Sequence, residues 1–507
     1  MYYHKFSKGS YKKNAIATVL AFLCFKIILS YFLNLGNDES YYWTFSKQLQ
    51  WNYFDHPPMV ALWIKIFTVN LLLDEYVFFL RLGSFVGGAL SSFFIFKTLA
   101  ALHSEKAGFT GVFLYNISFY ASITAGLFIM PDTPQMVFWT ASMYWVTKIM
   151  SDDKKVLPWI LFGICAGMSI MSKVHGVFLW CGVFLYALVY RRAWFTNKGF
   201  YIAAVITALV ISPIIIWNIQ NDFITYRFHS ERVIVNEGSG LSFMGLLREI
   251  IGQLVINNPF TVGLIIFFFS KKYITKTTNT TRVFKLMGIP LLSIIFFLSI
   301  FRTTLPHWSG PAYISLLPIA AIGFAEINIS TYKVLFKSAI IYVFIFLLLV
   351  IAAVNFYPAT FGSKNEREFG KNDISLDAYG WKEAGEKFSF YYNTQHTYNN
   401  KPPLLCNTWW GGHDEYYFAR PLGVKMIGLG NVLNIHQYAW RLGVDTIKLN
   451  MDTAYTIVHS YDYFDVKKAF EKYYSKIDSV QTMPVFRAGK RAYYFNVWRL
   501  SGWKKIF

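Results

Sequence analysis

Asp38 and Glu39 stand side by side in the run Asn37-Asp38-Glu39-Ser40-Tyr41-Tyr42-Trp43, directly after an apolar stretch from Asn14 to Leu35. A second run, Tyr53-Phe54-Asp55-His56-Pro57-Pro58, adds a third carboxylate and a histidine. Transfer of a group to a hydroxyl needs a carboxylate that takes a proton and a cation that steadies a departing anion. Asp38 and Glu39 offer the first. Lys173, Arg302, Arg227 and Arg232 offer the second. Plainer uses compete: Asp38 can cap a polar loop, and isolated basic side chains commonly snorkel or bind lipid headgroups. Asp55 and His56, with His229, have the ligand types for a divalent metal. His56 can equally bind a phosphate, and Pro57-Pro58 can be a rigid turn that opens a helix.

Two further clusters have the same double reading. In Pro131-Asp132-Thr133-Pro134, Asp132 either caps a helix or meets a substrate. Leu305-Pro306-His307-Trp308-Ser309-Gly310-Pro311 puts helix breakers at the entry to an apolar span, which predicts a broken helix lining a cavity. Trp308 and Tyr313 suit a sugar or isoprenoid face. Trp409-Trp410-Gly411-Gly412-His413-Asp414 reads as a buried strand and turn.

The elements that must carry these residues are membrane helices. The 507 residues are 55% hydrophobic and only 15% charged, against about 25% charged in soluble domains. Aromatics reach 20%, as lipid-facing Phe and interfacial Tyr and Trp would require. The net charge of +20 is spread between apolar spans, so it argues against a nucleic-acid partner. The four cysteines form neither a disulfide framework nor a CxxC metal pair.

About eleven apolar spans (11–13) are expected, near 14–35, 82–101, 107–127, 132–150, 157–172, 174–190, 200–217, 254–270, 284–301, 311–326 and 335–356. Met59 to Leu73 is apolar but short, and reads as an interfacial helix. With the N-terminus in the cytoplasm, Lys106, Lys148, Lys154, Arg191, Lys198, Arg282 and Lys333 all fall in inner connections, as the positive-inside rule demands. The polar clusters at 38–56, 131–134, 172–176, 221–232 and 302–308 then share the other face. One-sided clustering predicts an active site that opens outward.

After Tyr357 the composition turns mixed polar and aromatic. Helix-like stretches at Trp381–Tyr392 and Val466–Lys476, and strand-like stretches at Lys425–Leu429, Ala454–His459 and Arg491–Val497, predict a small α/β domain. The expected division is a membrane domain over 1–357 and an extracytoplasmic domain over 358–507.

The motifs at 38–42, 53–58 and 131–134, with Gly167-Met168-Ser169-Ile170-Met171-Ser172-Lys173, Trp217 to Phe223 and Leu305 to Pro318, resemble the GT-C-fold glycosyltransferases that use lipid phosphosugars. The most similar branch joins bacterial relatives of protein O-mannosyltransferases to the aminoarabinose transferases of lipid A. The resemblance covers about residues 14–330. It implies a mainly α polytopic GT-C fold in the plasma (inner) membrane. It also implies a polyprenyl-phosphate sugar donor and a lipid, glycan or protein acceptor on the outer face, with inversion; lipopolysaccharide is one such acceptor. By residue, it implies Asp38 as base or acceptor-orienting group with Glu39 beside it, and Lys173, with His56 and Arg302, at the donor phosphate. Tyr41, Asp132, His307 and Trp308 fall to substrate binding. Asp55, with His229, is associated with a possible divalent metal. His56 stands where aminoarabinose transferases carry Lys. A transporter or lipid flippase is the alternative, disfavoured by the lack of two matching halves.

Overall fold

The computed structural model describes residues 9–233, 240–270, 278–327, 329–396, 401–441 and 451–504. The chain folds into two compact units. One holds the residues up to Ile28 and Leu49–Phe344; the other joins Leu29–Gln48 to Ile345 onward.

The first unit is helical. Its elements are α1 (Gly9–Tyr31), which runs on into the second unit, α3 (Met59–Phe67), α4 (Val77–Leu102), α5 (Glu105–Ile117), α6 (Asp132–Ser151), α7 (Val156–Ser172), α8 (Val177–Tyr190), α9 (Lys198–Gln220), α10 (Ile224–Val233), α11 (Phe243–Ile256), α12 (Pro259–Ser270), α13 (Thr278–Ser299), α14 (Gly310–Glu326) and α15 (Ile329–Asn355), which also crosses units. The eleven apolar runs are mostly helical, with breaks within 107–127 and 254–270. Six described helices are long and apolar enough to cross a membrane, or seven if α11 and α12, bent by 104°, form one span. The protein is thus polytopic, and the expected count of eleven exceeds what length and apolarity support. The shortfall has physical causes. The run 107–127 breaks after Ile117 into a π-turn, Tyr120–Thr124. α6 carries Asp132, Gln135 and several Thr and Ser on a buried face. α7 and α8 are short.

α14 is buried along nearly its whole length, while α1 and α15 bury little. α6 packs on α4 and α7, α7 on α9, and α13 on α8 and α14. Small residues allow the close approaches. A Cβ on Gly163 of α7 would sit 2.6 Å from the carbonyl oxygen of Ala203 in α9.

The second unit contains α2 (Asn37–Lys47), α16 (Trp381–Gln395) and five strands: β1 (Leu404–Cys406), β2 (Met426–Gly428), β3 (Thr453–His459), β4 (Tyr474–Arg487) and β5 (Lys490–Trp503). The sheet order is β2-β1-β3-β5-β4, with β2, β1 and β3 parallel and β3, β5 and β4 antiparallel. Trp381 is fully buried against His413, His459 and Phe495. Two expectations are corrected. The helix begun at Val466 ends at Phe470, and Tyr474 already opens β4. Trp409–Asp414 is a turn leading into a helical turn, Gly411–Asp414, rather than a strand.

Candidate active site

In the first unit, Asp132 and Lys173 form a buried ion pair. Lys173 Nζ lies 2.8 Å from Asp132 Oδ2, with side-chain exposures of 6% and 1%. Asp132 is the first residue of α6 and makes no cap bond. Its other oxygen accepts from the Tyr120 hydroxyl at 2.9 Å. Tyr120 opens the π-turn, an element frequent at functional sites. Lys173 follows the end of α7 in extended backbone, so its chain turns inward. Gln135, one turn along α6, donates to the Lys173 carbonyl at 3.4 Å. An ammonium has three donors, so Lys173 keeps donors for an anion after bonding Asp132.

Imidazoles gather on this pair. His56, His175 and His307 are each within electrostatic reach of both Lys173 and Asp132. Burial first, then the charge of Lys173, hold His56 well below the usual imidazole value. A neutral imidazole still donates one N–H. The His56 loop is fixed by α10. The Thr225 hydroxyl donates to the Tyr53 carbonyl at 3.1 Å, Phe228 packs on Phe54 at 4.6 Å between ring centres, and His229 Nε2 bonds the Asp55 carbonyl at 2.8 Å.

That last bond bears on the expected metal site at Asp55 and His229. With Nε2 donating to that carbonyl, Nδ1 is the ring nitrogen that keeps a lone pair for a cation. Among the described residues no group of three or more His, Cys, Asp or Glu is placed to hold a metal. No step below runs through a metal.

His307 sits in the turn Pro306–Ser309 at the head of α14. A buried network that the motifs did not reveal holds this turn. Thr304 donates to Glu249 at 2.6 Å, and Gln253 donates to Glu249 at 2.5 Å and to the Pro306 carbonyl at 3.0 Å. Ser309 donates to Gln253 at 2.5 Å. The only sequence signal was an acid and an amide four apart in an apolar helix. Trp308 packs with Leu291, Ile295 and Phe178. Arg302 closes the turn after α13, its N–H bonded to the Leu298 carbonyl at 2.8 Å.

Asp38, Glu39 and Tyr41 lie in the second unit, on α2. Glu39 is buried and accepts from the Gly36 N–H at 3.0 Å, so it caps the helix. Asp38 is exposed. Asp377 accepts the Asn37 N–H through both oxygens, at 3.1 and 3.2 Å. Burial and then the charge of Asp38 raise the Asp377 carboxyl to about 7. Tyr41 is buried against Phe45, Trp409 and His436. Lys47 reaches Glu415 at 3.0 Å, and Arg441 binds the same carboxylate. Burial opposes the Glu415 charge, but Arg441 and Lys47 outweigh it and hold the carboxyl at about 2.

The described chain thus comprises a polytopic helical unit and a smaller unit with a five-stranded sheet. Over 96% of this chain and 98% of the other, the structure matches ArnT from Cupriavidus metallidurans, solved with undecaprenyl phosphate bound, at a TM-score of 0.63 and 14% identity. That likeness shows the fold. Residues 55–217 match the family described as dolichyl-phosphate-mannose-protein mannosyltransferase. The chain is 22% identical over 251 residues to the lipid A galacturonosyltransferase RgtD of Rhizobium johnstonii, covering 48% of this chain and 52% of that protein. It is 26% identical over 136 residues to the undecaprenyl phosphate-alpha-4-amino-4-deoxy-L-arabinose arabinosyl transferase 2 of Proteus mirabilis, covering 26% of this chain and 24% of the other. The matches thus span about half and about a quarter of these relatives. The resemblance to GT-C glycosyltransferases drawn from the sequence motifs holds.

Proposed function

We propose that this protein is a membrane glycosyltransferase that moves a sugar from a polyprenyl-phosphate donor to a lipid, glycan or protein acceptor on the outer face, with inversion. The observation that carries this reading is the buried Lys173–Asp132 pair ringed by His56, His175 and His307. An anion is the ligand such a cluster of donors favours. The three comparisons support the same class.

In this reading an acceptor oxygen bonds the glycosyl carbon as that carbon's bond to the phosphate oxygen breaks. Negative charge grows on the leaving phosphate. Lys173, the imidazole N–H groups and Arg302 are assigned to it, so part of their binding appears only in the transition state. Asp38 takes the acceptor's proton. A phosphate acceptor is already ionised, and Asp38 then orients it. Glu39 sets the start of α2. Asp132 positions Lys173, and Tyr41, His307 and Trp308 are assigned to the substrate side.

The proposed topology has eleven spans in the plasma (inner) membrane, a cytoplasmic N-terminus, a membrane domain over 1–357 and a periplasmic or extracellular domain over 358–507. Basic inner connections support it. An active alkaline phosphatase fused after residue 504 agrees with it, and an inactive one contradicts it.

The test of function is mass spectrometry of envelope lipids, glycans and proteins from cells with and without the protein. A sugar-bearing species should vanish. If none does, and the purified protein releases no polyprenyl phosphate from its donor, the reading is wrong.

A further inference from the structure

A cavity lies in the first unit, at the far end of α6 from Asp132. Its volume is about 490 Å³, within the roughly 300–1,000 Å³ of ligand pockets. Asp132 opens α6 and Lys148 lies close to its end, roughly 24 Å away at ~1.5 Å per residue. The walls come from α1, α4, α5 and α6, and are apolar: Ala15 and Val19 from the first, Phe93 and Phe96 from the second. The rim is different. Lys12, Lys97 and Lys148, from three different helices, supply the cations of the lining.

None of the three lysines makes an ion pair among the described residues. Lys97 stands 6.0 Å from the Phe93 ring centre and Lys148 5.4 Å from that of Tyr144, which keeps their heads at the rim. The single acid on the lining, Glu105, sits in the first turn of α5, where it answers the helix dipole. The cavity therefore has an apolar body and a cationic mouth, in a protein embedded in lipid.

We propose that this groove binds one anionic phospholipid, its phosphate among Lys12, Lys97 and Lys148 and an acyl chain along α1 and α4. A zwitterionic lipid would leave the three charges uncompensated. A packed helix from a partner would need a side chain of opposite charge for each of them. Basic pockets between membrane helices select anionic headgroups for this reason. The site is separate from the Lys173–Asp132 cluster and does not rest on the proposed reaction.

The experiment is native mass spectrometry of the full-length protein in detergent, titrated with phosphatidylglycerol or with phosphatidylcholine. The wild type should retain phosphatidylglycerol and not phosphatidylcholine. The triple variant Lys12→Gln/Lys97→Gln/Lys148→Gln should bind it about a hundredfold more weakly, the sum of three headgroup lysines. The triple Lys→Arg variant, which keeps the charges, should retain it and also shows that the fold survives change at these sites. Lys154→Gln/Lys155→Gln/Lys198→Gln, on neighbouring connections, should change nothing. Equal retention of both lipids, equal loss in this last variant, or loss in the Arg variant with an unchanged melting temperature would each overturn the proposal. So would co-purification of a stoichiometric protein in place of lipid.

Discussion

Lys173 Nζ stands 2.8 Å from Asp132 Oδ2 with both side chains almost wholly buried, so each charge is compensated mainly by the other. Removing one partner of such a pair typically costs ~3–5 kcal/mol, whereas removing both can be neutral. This separates two roles that a single substitution confuses.

Asp132→Ala should lower the melting temperature and abolish transfer. The double variant Lys173→Met/Asp132→Leu should recover most of the stability and none of the activity. Thermal unfolding and initial rates in nanodiscs read the two effects. A stable, active double variant would leave Lys173 and Asp132 with no part in the chemistry. In Lys173→Ala, the rate at saturating donor should fall along with donor affinity; a change in the acceptor constant alone would move Lys173 to the acceptor site.

Asp38 and Glu39 are adjacent but differently used. Asp38→Asn should lose about 10²–10⁴ in rate while still folding, as loss of a general base does. Glu39→Ala removes a cap bond and should cost about 0.5–2 kcal/mol of stability, with Glu39→Gln restoring part of it. A catalytic loss in Glu39→Gln as deep as in Asp38→Asn would make Glu39 a member of the machinery.

Stability should depend on pH through Asp377. Its folded carboxyl is raised to about 7, above the ordinary value near ~3.9. A raised folded value favours the protonated form, so its stabilising share is complete below pH ~4 and is lost as pH climbs through about 7. Asp377→Asn keeps one acceptor for the Asn37 N–H and cannot ionise. Its melting temperature should therefore exceed that of the wild type at pH 8 and match it at pH 4. Asp38→Asn should move the wild-type transition to lower pH, because less charge faces Asp377 and its ionisation then costs less. A melting curve for Asp377→Asn that tracks the wild type at every pH removes Asp377 from the transition.

His229→Ala frees the Asp55 carbonyl and loosens the His56 loop, so donor affinity should weaken without any change in metal dependence. Initial rates of the wild type before and after chelation check the second half. If chelation stops transfer and manganese restores it in the wild type but not in His229→Ala, the loop rearranges to form a metal site.

The helices of the first unit were legible because lipid tolerates little else; the apolar runs between Asn14 and Asn355 are mostly helical. The polar end of α6 was legible as well, since Asp132 and Pro134 interrupt an apolar pattern. The partner of Asp132 was not, because nothing near residue 132 records that Lys173 folds back onto it. Glu249 and Gln253 went unread for the same reason. In the second unit, β3 and β5 are rich in β-branched and aromatic residues, but the three residues of β1 are too few to show a pattern. The Lys-Lys-Ala-Phe-Glu-Lys run favours helix by propensity, and the sheet claims the chain from Tyr474. The placement of α2 with residues beyond 345 left no local mark at all.

That placement has a temporal side. The partners of α2 include Asp377, Glu415 and Gln437, and Lys47 and Glu415 are 368 residues apart. At about 5–20 residues per second of synthesis, roughly 20–70 s separate one partner from the other on the ribosome. Through that interval Tyr41, Trp43 and Phe45 lack the surface that later covers them. A chain interrupted before residue 415 carries the Asp38 motif but not its seat, and presents quality-control proteases with an uncovered aromatic segment. The seat of the Asp38 motif thereby exists only in chains whose translation has passed residue 415.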